Sequence, residues 1–266
     1  MTVIGTRPEI IRLSSTIKLL DKQDAIEHVL VHTGQNYDYE LNQIFFDDLE
    51  LRAPDYYLEA AKETPIETIG TAMINIENII VKESPEAFLV LGDTNSSLTA
   101  IVAKKYKIPI FHMEAGNRCF DERVPEEINR KIVDHIADIN LPYSSIAREY
   151  LLAEGIRADR IIKTGSPMYE VIQDNLSKIR SSTILEKLKI TKDKYFLISS
   201  HREENVDDEK KLSEFVESLN AIIERHNYSI LFSTHPRTLK RIKNLKVSLH
   251  ERIQVHKPFS FTDYCN

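Results

Sequence analysis

Short apolar runs, each followed by a polar loop and then by a helix-forming stretch, repeat along most of this chain. Six such runs occupy residues 3–4, 29–31, 88–91, 108–113, 139–141 and 161–163, and three more occupy residues 195–199, 230–232 and 252–255. Short buried strands that alternate with helices are typical of a parallel β-sheet covered by helices on both faces. The sequence therefore predicts an α/β fold with two Rossmann-like domains that face each other across a cleft.

The spacing of these runs also predicts the domain boundaries. The first domain is expected to occupy residues 1–167, a charged helical linker residues 168–192, and the second domain residues 193–266. Three strands are few for a domain of this type. We therefore expect the second domain to be incomplete and the chain to be truncated after residue 266.

Charge and cysteine content exclude several classes of function. The formal net charge of −6 argues against a nonspecific nucleic-acid binder, which needs a basic face. No apolar run approaches the roughly 18 residues of a membrane-spanning helix, and the first residues do not read as a secretory signal. The two cysteines, Cys119 and Cys265, have neither disulfide nor zinc spacing, which favours a cytoplasmic location.

Polar clusters follow the predicted strands, at the sheet edge where parallel α/β folds bind their ligands. The densest is residues 112–130, which contain one histidine, several acidic residues and three arginines between a predicted strand and a predicted helix. The first is residues 5–9, where Thr6 and Glu9 have capping-box spacing. That cluster predicts either a well-capped helix start or an anion site that combines helix amides with Arg7 and Arg12.

The acidic candidates each have a structural and a functional interpretation. Asp93 follows Gly92 and either caps the next helix or exposes a carboxylate in the cleft. Glu114 follows a buried strand, where an uncompensated charge would cost several kcal/mol, which favours a functional role. Glu126 and Glu127 are also explained as first-turn acids that complement a helix dipole.

Histidine and cofactor chemistry are also constrained by the sequence. His201 follows a predicted strand and is either a capping residue or a proton carrier or phosphate partner. Residues 5–9 are not a G-x-G-x-x-G fingerprint, so no dinucleotide cofactor is predicted. His112, Glu114, Asp93 and His201 are metal-ligand types, but no metal-binding spacing is present, and no metal is predicted.

Seven motifs, taken in order along essentially the whole chain, resemble the non-hydrolysing UDP-N-acetylglucosamine 2-epimerase family. Each motif is weak alone, but the ordered set is specific. They are residues 5–9 (GTRPE), 33–35 (TGQ), 92–94 (GDT), 112–116 (HMEAG), 125–130 (PEEINR), 164–165 (TG) and 201–202 (HR). The resemblance implies the GT-B architecture of two Rossmann-like domains, in agreement with the strand pattern.

The resemblance implies a reaction that uses no bound redox cofactor. The enzyme removes the proton at C2 of the sugar and expels UDP from C1, giving a 2-acetamidoglycal, and UDP then adds back with the proton on the opposite face. Catalytic positions implied by the family are Asp93, Glu114, Glu126 and His201. Substrate-binding positions expected for the UDP-sugar are Arg7, Arg12, Gln35, Arg118, Arg130 and Tyr264. The assembly state is left open, with a homodimer as the candidate.

Substrate and activity are left open in two respects. Residues 117–125 and 201–205 look more like the branch that acts on UDP-2-acetamido-2,6-dideoxy-L-hexoses for surface polysaccharide synthesis, so the sugar is either UDP-N-acetylglucosamine or a 6-deoxy analogue. Because the expected truncation removes a segment that holds UDP in the family, we predict weak UDP binding and little activity for this chain alone. The alternatives are a GT-B glycosyltransferase, a hydrolysing epimerase and an inactive split-gene fragment.

Overall fold

The computed structural model describes residues 1–35, 42–200, 209–234, 238, 241–242 and 248–266. His201 lies outside these residues. The chain divides into two compact units, Met1–Asn175 and Leu176–Asn266, and each is described by itself. The division falls inside residues 168–192, the stretch that the sequence assigns to a linker.

The first unit is built on a parallel sheet of six strands in the spatial order β3-β2-β1-β4-β5-β6. Its strands are β1 (Thr2–Ile4), β2 (Leu30–His32), β3 (Tyr56–Tyr57), β4 (Phe88–Leu91), β5 (Ile110–Met113) and β6 (Ile139–Leu141). This is the strand order of the Rossmann fold, in which the order of strand addition reverses between β1 and β4. Ligands of such sheets bind beyond the carboxyl ends of the strands at that reversal.

Helices cover both faces of this sheet. They are α1 (Arg7–Asp21), α2 (Gln43–Asp48), α3 (Pro65–Glu83), α4 (Ala100–Lys105), α5 (Pro125–Ile136), α6 (Ser145–Ala153) and α7 (Met168–Asp174), with 3₁₀ turns at Asn95–Thr99 and Ala158–Arg160. A capping box begins α3, in which Thr64 and Glu67 satisfy each other's backbone N–H groups and Pro65 occupies the first turn.

One face of the sheet forms the main core of the unit. Alternate strand residues point to this face and pack against the buried sides of α3, α4 and α5. The fully buried strand members are Val3, Val31, Phe88, Val90 and Ile110. The core therefore fixes the strand ends, and with them the loops that follow β1, β4 and β5.

Two details of the predicted strands were wrong. Residues 161–163 form only a single bridge, between Asn140 and Ile161, because they lie at the outer edge of the sheet and Ile162 already faces solvent. The two-residue strand β3 was not predicted, since a pair of tyrosines is too short to give a period-two pattern.

The second unit contains a parallel sheet in the order β7-β8-β9. Its elements are α8 (Leu176–Ser181), α9 (Ile184–Lys187), β7 (Tyr195–Ser200), α10 (Glu209–His226), β8 (Ser229–Thr234), β9 (Ile253–His256) and α11 (Phe261–Cys265). The apolar stripe of α10 packs on β8, with Val216 and Phe232 fully buried. Within the described ranges, no helix is both long enough and apolar enough to cross a bilayer.

Candidate active site

The buried carboxylate of Glu9 connects two strand ends at the reversal of the first sheet. Its Oε2 accepts hydrogen bonds from the Gly5 N–H at 2.8 Å, the Thr6 N–H at 2.7 Å, the Thr6 hydroxyl at 2.9 Å and the Ser96 hydroxyl at 3.1 Å. Its Oε1 accepts from the Thr94 hydroxyl at 2.8 Å. Burial raises the pKa of Glu9, and these hydrogen bonds oppose the rise. Glu9 therefore fixes the loop after β1 against the loop after β4.

Gly5 is the point where three side chains approach the backbone of that first loop. A Cβ atom there would lie 2.0 Å from Thr33 Oγ1, 2.5 Å from Ser96 Oγ and 2.6 Å from Gln35 Nε2. Gln35 in turn donates a hydrogen bond to Ser96 at 2.7 Å. The sequence-predicted Gln35 is thus held at the strand ends beside Gly5, and only a glycine fits between them.

The first helix carries two of the predicted arginines. Arg7 is the first residue of α1 and is half-buried. Arg12 lies on the second turn, and its guanidinium is hydrogen bonded to Glu114 Oε2. The pair brings the start of α1 to the end of β5.

Glu114 is the first residue after β5 and has a left-handed backbone conformation, with φ of 62°. Non-glycine residues in this region are uncommon and concentrate at functional sites. The Asn117 amide contacts its other oxygen at 3.4 Å. Burial raises the pKa of Glu114, the Arg12 charge lowers it, and the neighbouring Asp93 charge raises it again. Glu114 and Asp93 therefore lie within electrostatic reach of each other.

Asp93 is oriented by two residues of α5. The guanidinium of Arg130 donates to Asp93 Oδ2 through Nε at 3.0 Å and through a terminal nitrogen. The amide of Asn129 donates to the Asp93 carbonyl at 2.9 Å. These hydrogen bonds fix the orientation of the Asp93 carboxylate. Asp93 does not cap the following 3₁₀ turn, because Thr94 occupies the cap position.

The consecutive acids Glu126 and Glu127 have different environments. Glu126 is exposed in the first turn of α5. Glu127 is fully buried and accepts from the Cys119 N–H at 3.1 Å, the Phe120 N–H at 3.2 Å and Arg130 at 2.6 Å. Burial alone would raise the pKa of Glu127, but these hydrogen bonds and the Arg130 charge outweigh it and lower that pKa.

Arg118 lies in a buried ion-pair network. Its side chain is fully buried and donates to Asp134 at 2.7 Å and to both oxygens of Glu154 at 2.6 Å. Asp134 also accepts from the Gly116 N–H at 3.1 Å. The sequence assigns Arg118 to an anionic substrate, whereas the structure places it among carboxylates that already neutralise its charge.

His112 extends this network to the loop after β4. Its Nδ1 lies 2.9 Å from Asp134 Oδ1 and its Nε2 2.7 Å from the Gly92 carbonyl, with both side chains fully buried. The ring thus joins the glycine before Asp93 to the helix that carries Arg130. Among the described residues, the contacts of His112 give it a structural role. Its position in a buried strand is the sequence feature that indicates this role.

The sequence did not reveal that three acidic residues hold the loops of the site in place through buried hydrogen bonds and ion pairs. The sequence explained Glu9 only as a capping residue and Glu127 only as a first-turn acid, and it did not single out Asp134. The signal was available for Glu9 and Glu127, since both lie at strand-to-helix turns. Tyr264, assigned to the substrate, lies on α11 of the second unit and is 44% exposed.

Two carboxylates, Asp93 after β4 and Glu114 after β5, thus lie at neighbouring strand ends within electrostatic reach of each other, and an arginine contacts each of them. Carboxylates of this kind accept and return protons, and the charge of a neighbouring arginine helps to set their pKa. A Rossmann-like unit with such a site, followed by a second parallel α/β unit, defines a GT-B-class protein with a candidate proton-transfer site.

Comparison with known proteins identifies the family. The family model described as UDP-N-acetylglucosamine 2-epimerase matches residues 18–266. The chain is 38% identical over 270 residues to the UDP-N-acetylglucosamine 2-epimerase of Methanocaldococcus jannaschii, covering 98% of this chain and 74% of that protein. This chain belongs to the UDP-N-acetylglucosamine 2-epimerase family.

Solved structures agree with that assignment. The UDP-N-acetylglucosamine 2-epimerase of Rickettsia bellii superposes with a TM-score of 0.90 at 51% identity, over 99% of this chain and 70% of that one. The M. jannaschii enzyme, solved in complex with UDP-GlcNAc and UDP, gives a TM-score of 0.90 at 37% identity, over 99% and 74%. The family, the fold class and the isomerase class predicted from the sequence are confirmed.

Proposed function

We propose that this chain catalyses C2 epimerisation of UDP-N-acetylglucosamine by elimination and re-addition of UDP. Family membership supports the reaction. The observation that carries the proposal for this chain is that Glu114 and Asp93 lie at neighbouring strand ends within electrostatic reach of each other, with Arg12 on one and Arg130 on the other. The reaction needs proton carriers and cationic groups in one place, and these residues supply both.

The elimination breaks two bonds of the sugar. A base takes the proton from C2, the electron pair of that bond forms the C1–C2 double bond, and the C1–O bond breaks to release UDP. Re-addition reverses these steps with the proton delivered to the other face of C2. Proton transfer at both faces requires two groups, and general acid–base catalysis is most effective when their pKa values lie near the working pH.

Glu114 is suited to one of these transfers. Burial holds its pKa above the ordinary carboxyl value, while the Arg12 charge opposes the rise. We assign Glu114 and Asp93 as proton-transfer carboxylates, and Glu126, which is exposed at the start of α5, as a third. His201 completes the catalytic set by resemblance, and it lies outside the described residues.

Arg7 is proposed to bind the diphosphate that leaves C1. It lies in the first turn of α1, where backbone N–H groups and the helix dipole favour an anion. Gln35 lies beside that turn through its hydrogen bond to Ser96. Tyr264 stays a proposed contact of the UDP moiety.

A second candidate substrate is a differently substituted UDP-2-acetamido sugar. The UDP-2,3-diacetamido-2,3-dideoxy-D-glucuronate 2-epimerase of Pseudomonas aeruginosa is 35% identical, over 99% of this chain and 73% of that protein. The 6-deoxy sugar suggested by residues 117–125 stays a prediction of the same kind. All three share the 2-acetamido group and the UDP leaving group, so the chemistry above applies to each.

Deuterium exchange tests this function. The protein is incubated in D₂O with each of the three UDP-sugars in turn, and C2 is followed by NMR. Because the sequence predicts little activity for this chain alone, we expect slow entry of deuterium at C2, with UDP still attached and a second epimer appearing, at high protein concentration and long incubation. Free sugar plus UDP would indicate a hydrolysing epimerase, and transfer of the sugar to an acceptor without exchange at C2 would indicate a glycosyltransferase. Absence of exchange with all three UDP-sugars would overturn the proposal.

We further propose that the enzyme works in the cytoplasm as a homodimer that supplies precursors of surface polysaccharide. The lack of a disulfide spacing between Cys119 and Cys265 supports a reducing compartment. Light scattering after size exclusion, at several protein concentrations, tests the dimer, and a mass equal to one chain throughout would contradict it.

A further inference from the structure

The hydroxyl of Tyr143 is a buried oxygen that has no hydrogen-bond partner among the described residues. Buried hydroxyls are normally paired, because an unpaired one has lost its water without a replacement. At a binding site, such a group is explained when a bound ligand supplies the partner. Tyr143 was not among the residues predicted from the sequence.

Tyr143 lies at the same edge of the sheet as Glu114. It comes two residues after Leu141, the last residue of β6, and Leu141 pairs in parallel with Met113, the last residue of β5. The chain on both sides of it is fixed. The carbonyl of Pro142 accepts from the Thr164 N–H at 3.2 Å.

The helix that follows Tyr143 adds a second constraint. The hydroxyl of Ser144 caps α6 by accepting from the Ala147 N–H at 3.1 Å. A residue held between an edge hydrogen bond and a helix cap has little backbone freedom. The phenol is therefore presented from a rigid turn, as binding residues usually are.

The charges around Tyr143 define what it can do. Burial raises the pKa of its phenol, the Glu114 carboxylate raises it further, and Arg12 partly opposes this. The phenol is thus protonated at neutral pH and acts as a hydrogen-bond donor. It lies within electrostatic reach of the same carboxylate and arginine that we assign to proton transfer.

We infer that Tyr143 contacts the substrate directly, donating a hydrogen bond to an oxygen on the sugar ring of the bound nucleotide sugar. The inference rests on the proposed function, because Glu114 can exchange the C2 proton only if the sugar lies beside it. A sugar hydroxyl or acetamido oxygen is neutral and suits a donor placed beside a carboxylate. A phosphate oxygen is disfavoured there, because the Glu114 carboxylate repels it.

The Tyr143→Phe variant distinguishes this role from a structural one. Removing an unpaired buried hydroxyl should leave the melting temperature of the free protein unchanged or raise it. The additional stabilisation produced by the UDP-sugar should fall, and kcat/KM should fall about three- to tenfold, as expected for one neutral hydrogen bond. The affinity for UDP alone should not change. Tyr169→Phe, which alters a tyrosine that is 69% exposed, serves as the matched control.

Carbon-13 NMR of labelled tyrosine gives a readout that is independent of turnover. The Tyr143 ring signal is assigned by its loss in the Tyr143→Phe protein, and we expect it to shift with UDP-N-acetylglucosamine but not with UDP. The same shift with UDP, no shift with any UDP-sugar, or a lower melting temperature of the free variant would overturn the inference. Deuterium exchange at C2 without a tyrosine shift would refute Tyr143 alone. A sugar-specific shift without exchange would refute the epimerase function alone.

Discussion

The guanidinium of Arg12 on α1 is hydrogen bonded to the carboxylate of Glu114, 102 positions further along the chain. The two side chains are 36% and 16% exposed, so water reaches the pair but does not surround it. The contact joins the helix after β1 to the loop after β5. It makes the protonation of Glu114 depend on a residue that belongs to another strand–helix unit.

Replacing Arg12 with glutamine should move the pH dependence of activity. Because the Arg12 charge lowers the pKa of Glu114, its removal should raise that pKa. The limb of the kcat/KM profile that reports Glu114 should then move to higher pH, whether the residue acts as base or as acid. Lys22→Gln, which alters an exposed residue just after α1, should leave the profile in place. A profile that does not move would show that Glu114 does not control either limb.

Glu114 should also make the folded state less stable as the pH rises. Its pKa is above 4.5 in the folded protein because of burial, so between 4.5 and that raised value the folded state binds more protons than the unfolded state. Stability from this group is therefore lost as pH increases through that window. Urea unfolding of wild type and Glu114→Gln should give a stability difference that increasingly favours the variant with rising pH. A constant difference would contradict the raised pKa.

The adjacent acids Glu126 and Glu127 of α5 should have different effects on stability and kcat when each is changed to glutamine. Glu127→Gln weakens a buried ion pair with Arg130 and should lower the free energy of unfolding by about 3 kcal/mol. Glu126→Gln alters an exposed side chain and should leave stability unchanged while lowering kcat about 100-fold, a usual loss for a proton-transfer group. Urea melts and initial rates on both proteins measure this. Equal effects of the two substitutions on kcat at unchanged stability would refute the division of roles.

Arg118→Met should destabilise the protein without weakening its hold on UDP. The substitution leaves Asp134 buried with one partner fewer, which should cost about 3–5 kcal/mol. Arg123→Met is the matched control, because Arg123 is 90% exposed and pairs with Asp121 on the surface; its effect should stay within about 1 kcal/mol. Calorimetric UDP titration at a temperature where both variants are folded completes the test. A large loss of UDP affinity at normal stability would show that Arg118 binds the substrate, as the sequence predicted.

Two glycine-to-alanine substitutions should have opposite signs. At Gly5 the added Cβ would overlap Thr33, Ser96 and Gln35, and we expect a loss of about 1–3 kcal/mol together with reduced activity. At Gly70, within α3, nothing lies within 4 Å of the added Cβ, and alanine should stabilise the helix by about 0.5–1 kcal/mol. Thermal melts of both variants check the pair. A neutral Gly5→Ala would show that the three side chains move aside easily.

Sequence reasoning reached the fold because hydrophobic runs and helix caps are local signals. Most strands of both sheets and the polar clusters at their ends follow from patterns within about ten residues of each other. The predicted strand at residues 161–163 failed because an apolar run at a sheet edge has a partner on one side only. A short segment of sequence does not show which distant strands pair with each other.

Local sequence patterns also could not predict which site residues are structural and which face the substrate, because this too depends on contacts between distant residues. Arg118 and Arg130 look alike in sequence, yet one is enclosed by Asp134 and Glu154 and the other contacts Asp93. Which carboxylate each arginine meets depends on how α5 and α6 pack against the strands. Tyr143 was missed because an unpaired buried hydroxyl is visible only once its surroundings are known.

The five hydrogen bonds accepted by Glu9 have a consequence for protein engineering. A designer who transplants this catalytic centre onto another sheet could not move Asp93 and Arg12 alone. The transplant would also have to include, as one set, residues 5, 6, 9, 94 and 96. Directed evolution of substrate range should therefore yield few viable variants at these five positions and many more at exposed residues just before α5, such as Glu122 and Arg123.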